Sequence, residues 1–311
     1  MDTANVERFE AGRARLASLA YRLLGSAADA EDVVQDAFLR WQAADRDRIE
    51  VPEAWLTKVV TNLALDRLRS AQARRERAVG DWLPEPLLDG DPMLGPAETF
   101  EQRESVSIAV LMLLERLSPT ERAVYILREA FAYSHSEIAG ILDITESASQ
   151  QHALRARRHV TVGRNAAHVD REAARRIVEA FVDAAASGET ERLVALLTDD
   201  ATAVSDGAGF MGRFWLESAP ARIAAIIRVG FKPTPAKRKF AGGSPSIHAG
   251  IVNGAPAMIA VLGDSVAGIL VLDPSGDKIA TLHSIADRAR LGRVTEQWRR
   301  GEHRDPIIAS W

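Results

Sequence analysis

Apolar residues recur every three or four positions through residues 6–77 and again through residues 98–164, a spacing that predicts amphipathic helices. Between these stretches, residues 80–96 carry proline or glycine at short intervals, which is typical of a linker. From about residue 169 two more helices are predicted, followed by short runs rich in Val, Ile and Ala that Gly, Pro and Asp separate. These runs predict a meander of antiparallel strands. The pattern therefore predicts two all-α modules followed by an α+β domain.

The second helical module has the pattern of a helix-turn-helix. Residues 118–121 (Ser-Pro-Thr-Glu) and 134–137 (Ser-His-Ser-Glu) are capping boxes, so a helix is predicted to begin at each. We predict a first helix over 136–142, a turn over 143–146 and a recognition helix over 147–160. Polar side chains at the start of such a recognition helix enter the DNA major groove, and the arginines that follow are placed to contact phosphates.

Length and composition narrow the class of protein. A chain of 311 residues with 47% hydrophobic residues suggests two globular domains or three small ones. The absence of cysteine excludes disulfides, iron–sulfur clusters, cysteine-ligated zinc and thiol nucleophiles. The segment MDTANVERFE has no basic stretch followed by an apolar run, and no stretch approaches 18 apolar residues. We therefore expect no signal peptide, no membrane contact and a cytoplasmic location.

Charge is concentrated in three places although the net charge is only −4. Residues 26–36 hold four acids and no base, residues 58–77 hold six basic and two acidic residues, and residues 152–164 hold four arginines and no acid. Such patches are either solvated helix faces or contacts with partners of opposite charge. In the second reading, the acidic patch meets a basic protein surface and the two basic patches meet a polyanion.

Helical wheels separate these charges from the core. On the helix that begins near Ser26, the apolar positions from Ala30 to Trp41 span about 140°, while Asp29, Asp32 and Asp36 share about 60° beside them. Three like charges on one face repel, so a basic partner is the better explanation. A metal site would need oxygen ligands from a second element.

On the helix near residues 53–69, the polar face contains Lys58, Thr61, Asn62 and Arg69, and it continues into RLRSAQARRER. Lysine and arginine neutralise phosphates, while asparagine and threonine can hydrogen bond base edges. Leu65 falls among these polar residues and has no explanation in the pattern.

The segments YRLLGSAADAEDVVQDAFLRW and EAWLTKVVTNLALDRLRSAQARRE resemble region 2 of an extracytoplasmic-function (ECF) RNA polymerase sigma factor. The resemblance implies that the acidic helix docks on the β′ clamp of core RNA polymerase, and that the next helix reads the promoter −10 element. The implied polymerase contacts are Asp29, Asp32, Val33, Gln35 and Asp36. The implied −10 contacts are Lys58, Thr61, Asn62, Arg67 and Arg69.

The second module resembles sigma region 4, which reads the −35 element and meets the β flap. Its LSPTER run and Glu137-Ile138-Ala139 stand where that family has them. The implied −35 contacts are Ser147, Ser149, Gln150, Gln151, Arg155, Arg157 and Arg158. Gln150 replaces an arginine common in relatives and His152 replaces an apolar residue, so the resemblance identifies the module but not its exact −35 preference.

The linker run Trp82, Leu83, Pro84, Glu85 and Pro86 is similar to the WLPEP linker of ECF factors that carry a C-terminal SnoaL-like domain of the NTF2-like cone type. Prolines stiffen a segment, and its apolar side chains then favour docking in a groove. The implied division is region 2 over 1–78, linker over 79–97, region 4 over 98–164, the third domain over 169–290 and a tail over 291–311. Residues 252–256 match the Val-Asn-Gly-x-Pro run of that subgroup, and residues 206–209 (Asp-Gly-Ala-Gly) stand where the subgroup has DGGG. Residues 285–289 keep only an Asp and a positive charge of a third motif.

The main hypothesis is a non-enzymatic sigma factor for −10/−35 promoters with a fused regulatory domain and no cofactor or metal. The alternative is a SnoaL-like enzyme, or a domain that senses a small ligand, with DNA-binding helices as an appendage. Cone-fold enzymes need a carboxylate or histidine base in an apolar pocket, and Asp206, His248 and His283 are the candidates. Fold alone does not decide between these functions.

Overall fold

The computed structural model describes residues 3–75, 83–95, 99, 102, 104–160, 169–207 and 215–311. The chain divides into two compact units, which are described separately. The helical unit contains residues 1–80 and 90–163, and the sheet unit contains residues 81–89 and 164–311. Within the described ranges, no helix is long and apolar enough to cross a membrane.

The first half of the helical unit is a bundle of three helices: α1 (Thr3–Leu24), α2 (Ala27–Ala43) and α3 (Pro52–Arg75). The predicted apolar stripe of α2 is buried against the other two helices. Its buried members are Ala27, Ala30, Val33, Val34, Ala37 and Trp41. Ser26 caps α2 by accepting a hydrogen bond from the backbone N–H of Asp29. Trp55 packs beside Trp41 with ring centroids 5.8 Å apart, which places it against the core.

The second half holds α4 (Ile108–Leu114), α5 (Pro119–Glu129), α6 (His135–Leu142) and α7 (Glu146–Val160). Both predicted capping boxes are formed, at the starts of α5 and α6. Helices α6 and α7 are the predicted helix-turn-helix, with each helix beginning one residue earlier than expected. Asp143 ends α6 in the left-handed region, at φ 53°. The helix-turn-helix prediction is therefore confirmed as structure.

Two buried arginines join the halves of the helical unit. Arg22 on α1 donates to the Leu94 and Gln102 carbonyls at 2.9 and 3.2 Å and to Ser105 Oγ at 2.8 Å. Burial lowers the pKa of Arg22 to about 10. Gly95, at φ 68°, lies so close to Ser18 that no Cβ would fit, which lets the chain approach α1.

The reciprocal contact comes from α5. Arg122 donates to the Leu23 carbonyl at the end of α1 at 2.8 Å, to the Leu114 carbonyl at 2.9 Å and to Glu115 at 2.7 Å. Its side chain is 4% exposed. A buried cation is stable only when its donors are satisfied, so each arginine needs both halves in place.

The sheet unit alternates helices and strands before a closing meander. Its elements are α8 (Arg171–Ser187), α9 (Thr190–Leu196), β1 (Leu197–Ser205), β2 (Trp215–Glu217), α10 (Pro220–Phe231), α11 (Pro235–Ala241), β3 (Ser246–Val252), β4 (Ala255–Leu262), β5 (Ser265–Ser275), β6 (Lys278–Ile285) and α12 (Gly292–Arg300).

The six described strands form one sheet in the order β2-β1-β6-β5-β4-β3. Strands β3 to β6 are the predicted antiparallel meander. Strand β1 instead pairs parallel with β6, which the local pattern does not indicate. Helices α8, α9 and α10 supply the apolar layer against the sheet, centred on Phe181, Leu193 and Ile223. The α+β class expected for this part of the chain is confirmed.

Residues 301–311, part of the segment expected as a tail, pack on the sheet unit. Ile308 pairs antiparallel with Ile247 on β3. Trp311 is 8% exposed and donates its indole N–H to the Phe231 carbonyl at 2.6 Å. The β3 edge at Ile247 is thereby covered by later sequence.

Candidate protein and nucleic-acid interfaces

The acidic surface of α2 consists of Asp29, Asp32 and Asp36, whose side chains are 55%, 65% and 50% exposed. The guanidinium of Arg67 on α3 lies among them. Its nitrogens are 2.9, 3.3 and 3.7 Å from carboxylate oxygens of the three aspartates in turn. One cation among three anions leaves an excess of negative charge on an exposed face, while Arg67 limits the repulsion between the carboxylates.

Two other residues of this predicted interface differ in their exposure to solvent. Gln35 is exposed beside the aspartates. Val33 is fully buried in the α2 core stripe, so its assignment as a direct polymerase contact is wrong for this structure. The helical period explains the difference, because Val33 lies on the apolar arc and not on the acidic one.

The polar face of α3 is used inside the helical unit. Lys58 donates to the Gly140 carbonyl at 2.9 Å and to Asp143 Oδ1 at 2.7 Å, and so binds the end of α6. A cation at a helix C-terminus satisfies free carbonyls and is favoured by the helix dipole. The ammonium that was assigned to −10 DNA therefore contacts the helix-turn-helix here.

The burial of Thr61 is the clearest difference from the sequence-based prediction of the −10 contacts. Its side chain is 0% exposed, so it does not face DNA in this structure. Leu65, one turn further along, is 3% exposed, which explains the leucine among polar neighbours. Helix α3 packs against α5 and α6 as well as α1 and α2, so it has a second buried face. Asn62 is half-buried and Arg69 is exposed and pairs with Asp66 at 3.3 Å.

A polar junction beside Lys58 ties the same two halves together. Tyr133, just before α6, hydrogen bonds through its hydroxyl to Thr57 on α3 and to Arg15 on α1, both at 3.1 Å. Arg15 also lies over the rings of Phe131 and Tyr133 at 5.3 and 5.4 Å. The loop before the helix-turn-helix is thus held on the region that was expected to read the −10 element.

The recognition helix α7 presents most of its predicted contacts to solvent. Ser147, Gln150, Gln151, Arg155 and Arg158 are all exposed. The buried positions Ala153, Ala156 and Val160 lie on the opposite side and hold the helix to the unit. This arrangement leaves amides and hydroxyls at the helix start and cations further along, which suits base edges and phosphates respectively.

Two predicted −35 contacts are engaged elsewhere. Ser149 is 0% exposed and its hydroxyl lies 2.9 Å from His135 Nδ1, so its assignment as a base contact is wrong for this structure. Arg157 donates twice to Glu129 on α5, at 3.0 and 2.7 Å. Arg157 therefore anchors α7 to α5 and is not available to a phosphate in this arrangement.

The linker residues lie on the sheet unit. Leu83 and Leu87 are 0% exposed, Pro84 and Pro86 are buried and Glu85 is half-buried. Leu88 forms an antiparallel bridge with Val252, and the Asp89 N–H donates to the Ile251 carbonyl at 3.0 Å. This segment therefore extends the sheet beyond the edge strand β3. Trp82, which the sequence also assigns to this contact, lies outside the described residues.

Asn253 receives the linker, a role that the sequence interpretation did not assign. Its Oδ1 accepts the Leu87 N–H at 2.8 Å, and its own N–H donates to the Leu87 carbonyl at 2.9 Å. Asn253 and Gly254 have φ 51° and 81° and form the β3–β4 turn. The Asn-Gly pair between two strand patterns is a hairpin signal, so it could have identified the turn but not its second task.

The three candidate catalytic residues do not form one site. Asp206 accepts the backbone N–H groups of Ala286 and Asp287 at 2.9 and 2.8 Å, which fixes the chain after β6. His283 is 1% exposed and its Nδ1 lies 3.0 Å from Asp273. His248 is on β3, three strands away from β6 and roughly 14 Å across the sheet. The arrangement does not bring His248 to the other two.

Comparison with known proteins identifies both helical modules. The model for Sigma-70 region 2 matches residues 8–74, and the model for Sigma-70, region 4 matches residues 107–160. These ranges correspond to α1–α3 and to α4–α7.

A relative that matches over most of the chain extends the similarity to the sheet unit. The chain is 32% identical over 288 residues to the probable ECF RNA polymerase sigma factor SigI of Mycobacterium tuberculosis, covering 91% of this chain and 93% of that one. It is 42% identical over 205 residues to the ECF RNA polymerase sigma factor SigJ of the same species, a match that spans 65% of that relative. The crystal structure of M. tuberculosis SigJ superposes with a TM-score of 0.69 at 30% identity, covering 92% of this chain and 97% of that chain.

Proposed function

Because this chain belongs to the ECF RNA polymerase sigma factor family, whose members are non-enzymatic factors that bind core RNA polymerase and promoter DNA, we propose that its sheet unit regulates initiation by holding the linker between regions 2 and 4. The observation that carries the proposal is the pairing of Leu87, Leu88 and Asp89 with the β3 edge and Asn253. The regulator is then part of the chain and needs no separate protein.

The acidic surface of α2 is the proposed contact with the polymerase β′ clamp. Asp29, Asp32, Asp36 and Gln35 are exposed on one face, and Arg67 neutralises only part of the charge. Complementary charge accelerates association and sets orientation more than it adds affinity. The β flap contact belongs to region 4 in the same proposal.

The recognition helix is the proposed −35 reader, with Gln150 and Gln151 at base edges and Arg155 and Arg158 on phosphates. On α3, Asn62 and Arg69 remain accessible for the −10 element, whereas Lys58 becomes available only after it leaves Asp143. The described arrangement is therefore a closed form, and promoter engagement requires region 4 to leave α3.

Capture of the linker favours this closed form. Residues 83–89 join region 2 to region 4 along the chain. When they pair with β3, the connection between the two regions becomes shorter and less flexible, so the regions cannot move apart as far. Since the partners are on one chain, even a modest contact is well populated. Binding to core polymerase must then shift the population toward a released linker.

The test is run-off transcription with purified core polymerase and Asn253→Gly. Glycine keeps the positive φ of the turn but removes the acceptor of the Leu87 N–H. Loss of one buried hydrogen bond shifts a two-state equilibrium by roughly fivefold, so we expect output to rise by about that factor where closing limits it.

The matched control is Asp277→Gly, which places glycine in the exposed β5–β6 turn of the same sheet. It should leave output unchanged. Faster hydrogen exchange at Leu87 in Asn253→Gly, with no change in output, would contradict the regulatory role of the linker contact.

A further inference from the structure

We propose that a basic pocket on the sheet unit binds a small organic anion with an apolar body, such as an aryl or acyl carboxylate. The cavity has a volume of about 640 Å³, which lies within the range of small-molecule sites. It lies between the end of α8, the end of α10 and the last residues of the chain. The residues that carry the argument are Arg228, Phe231, Lys232, Arg238, Ile308 and Trp311.

The charge of the pocket selects an anion. Residues 228–239 contain five basic residues and no acid. Arg228 and Lys232 are exposed on the pocket wall, and among the described residues neither has an ion-pair partner. Arg238 completes the basic side while its Nε–H donates to the main-chain oxygen of Trp311 at 3.1 Å. Cations that converge on a concave surface attract negative charge.

The environment of Lys237 shows that the basic side chains around the pocket repel one another. Its ammonium donates to the carbonyls of Val229, Gly230 and Lys232 at the end of α10. Burial and the charge of Lys232 lower the pKa of Lys237. An anion beside Lys232 would relieve this repulsion, which adds to the gain from binding.

The apolar side of the pocket selects the body of the ligand. Phe231 and Trp311 meet edge to face, with ring centroids 6.4 Å apart, and Ile308 lies on the same wall. Val229 is 62% exposed at the rim, where a ligand would cover it. Aromatic walls with a few convergent polar groups are typical of small-molecule sites and unlike the flat basic surfaces that bind duplex DNA.

The pocket is connected to the linker through β3, and this part of the inference rests on the proposed function. Ile308, which lines the pocket, pairs with Ile247 at one end of β3, while Leu88 pairs with Val252 at the other. The two contacts are about 17 Å apart along the strand. Occupancy that orders residues 307–311 therefore stabilises the edge on which the linker lies, so the ligand should favour the closed form.

The first test is calorimetric titration of the full chain with 1-naphthoate, decanoate and phenyl phosphate, together with the neutral analogue 1-naphthalenemethanol. We expect at least one anion to bind with a stoichiometry of one. The neutral analogue should bind roughly tenfold more weakly, because charge-assisted hydrogen bonds are lost. Absence of binding by all three anions at millimolar concentration would overturn the proposal, as would equal binding of 1-naphthoate and 1-naphthalenemethanol.

Arg228→Gln with Lys232→Gln should weaken anion binding by roughly tenfold or more. The matched control is Arg176→Gln with Arg192→Gln, which removes two exposed cations of the sheet unit that do not line the cavity. Equal affinity of the two double variants for the anion would place the site elsewhere. A loss of duplex DNA binding in the pocket variant, with no anion bound by wild type, would reassign the surface to DNA.

Run-off transcription, measured together with hydrogen exchange, distinguishes a failure of this inference from a failure of the proposed function. If the anion binds at the pocket and slows hydrogen exchange at Leu87 and Leu88, both parts of the inference are supported. Binding without any effect on exchange at the linker would remove the coupling and leave the pocket. Binding and slowed exchange without a change in run-off output would leave this inference standing and contradict the regulatory function.

Discussion

The two helices expected to read DNA, α3 and α7, differ in how much of their polar face is exposed to solvent. On α7, Gln150, Gln151, Arg155 and Arg158 are exposed. On α3, Lys58 bonds the end of α6, Thr61 is buried and Arg67 pairs with the acidic surface of α2. One recognition surface is open while the other is largely closed, although both sequences carry the same kinds of residue.

The difference teaches that polar residues on a helix face do not identify its partner. Helix α3 is longer and more central, so it packs against α1, α2, α5 and α6 and has few sides left for solvent. Helix α7 packs through Ala153, Ala156 and Val160 on one side and leaves the rest free. Under the proposed function, the helix expected to read the −35 element is accessible in this arrangement, whereas the helix expected to read the −10 element needs an opening step.

The largest effect is expected from the arginine that holds the halves of the helical unit together. Arg122→Met removes the guanidinium that donates to the Leu23 and Leu114 carbonyls and to Glu115, so we expect the free energy of unfolding to fall by about 3 kcal/mol. Urea denaturation measures it, with exposed Arg116→Met as the control. Equal stability of the two variants would mean that Arg122 does not join the halves.

A second effect concerns the acidic surface. Asp32→Asn with Asp36→Asn should slow association with core polymerase roughly tenfold at low salt, because long-range attraction is lost while the exposed side chains are not needed for packing. Stopped-flow binding across a range of salt concentrations measures the rate. Asp45→Asn with Asp47→Asn, exposed beyond α2, is the charge-matched control. Rates that do not differ between the two double variants would remove this surface from the polymerase contact.

A third comparison uses two arginines two residues apart on α7. Arg155→Ala should weaken binding of the holoenzyme to randomised duplexes uniformly and reduce the slope of log affinity against log salt by about 1. Arg157→Ala should leave that slope unchanged, since Arg157 already bonds Glu129. Gln150→Ala should instead alter the sequences selected from the library. The reverse assignment of slope and preference would show that α7 enters the groove differently.

The smallest effect is the coupling of Lys58 to Asp143. A double-mutant cycle with Lys58→Met and Asp143→Asn should give an interaction of about 0.5 kcal/mol in urea unfolding, because the pair is partly exposed. Asparagine tolerates the positive φ at position 143, so the backbone is not strained. A cycle that pairs Lys58→Met with Asp45→Asn is the control. Additive values in both cycles would contradict the closing role of Lys58.

Local signals predicted much of the fold and part of the interfaces. The capping boxes at Ser118 and Ser134 fixed two helix starts, and the apolar stripe of α2 identified its buried face. The meander of β3 to β6 followed from strand runs separated by turns. Each of these features depends on residues within one or two turns of each other, so a single sequence contains them.

Two of the assignments that failed depend on partners from other elements. Thr61 and Ser149 lie on polar positions of their helices, yet each is buried by another element. A helical period marks one buried face, and it carries no information about a second one that tertiary packing creates.

The sequence by itself determined the helices of regions 2 and 4, the acidic face of α2, the helix-turn-helix and the class of the third domain. Each of these features follows from local signals, namely the hydrophobic period, the helix caps and the turn residues. Only the tertiary structure decided that Lys58 bonds Asp143, 85 residues away, and that Leu87 bonds Asn253, 166 residues away. The same holds for the parallel pairing of β1 with β6. Such contacts depend on which surfaces meet after the elements form, and closure of the chain over those separations leaves no local pattern.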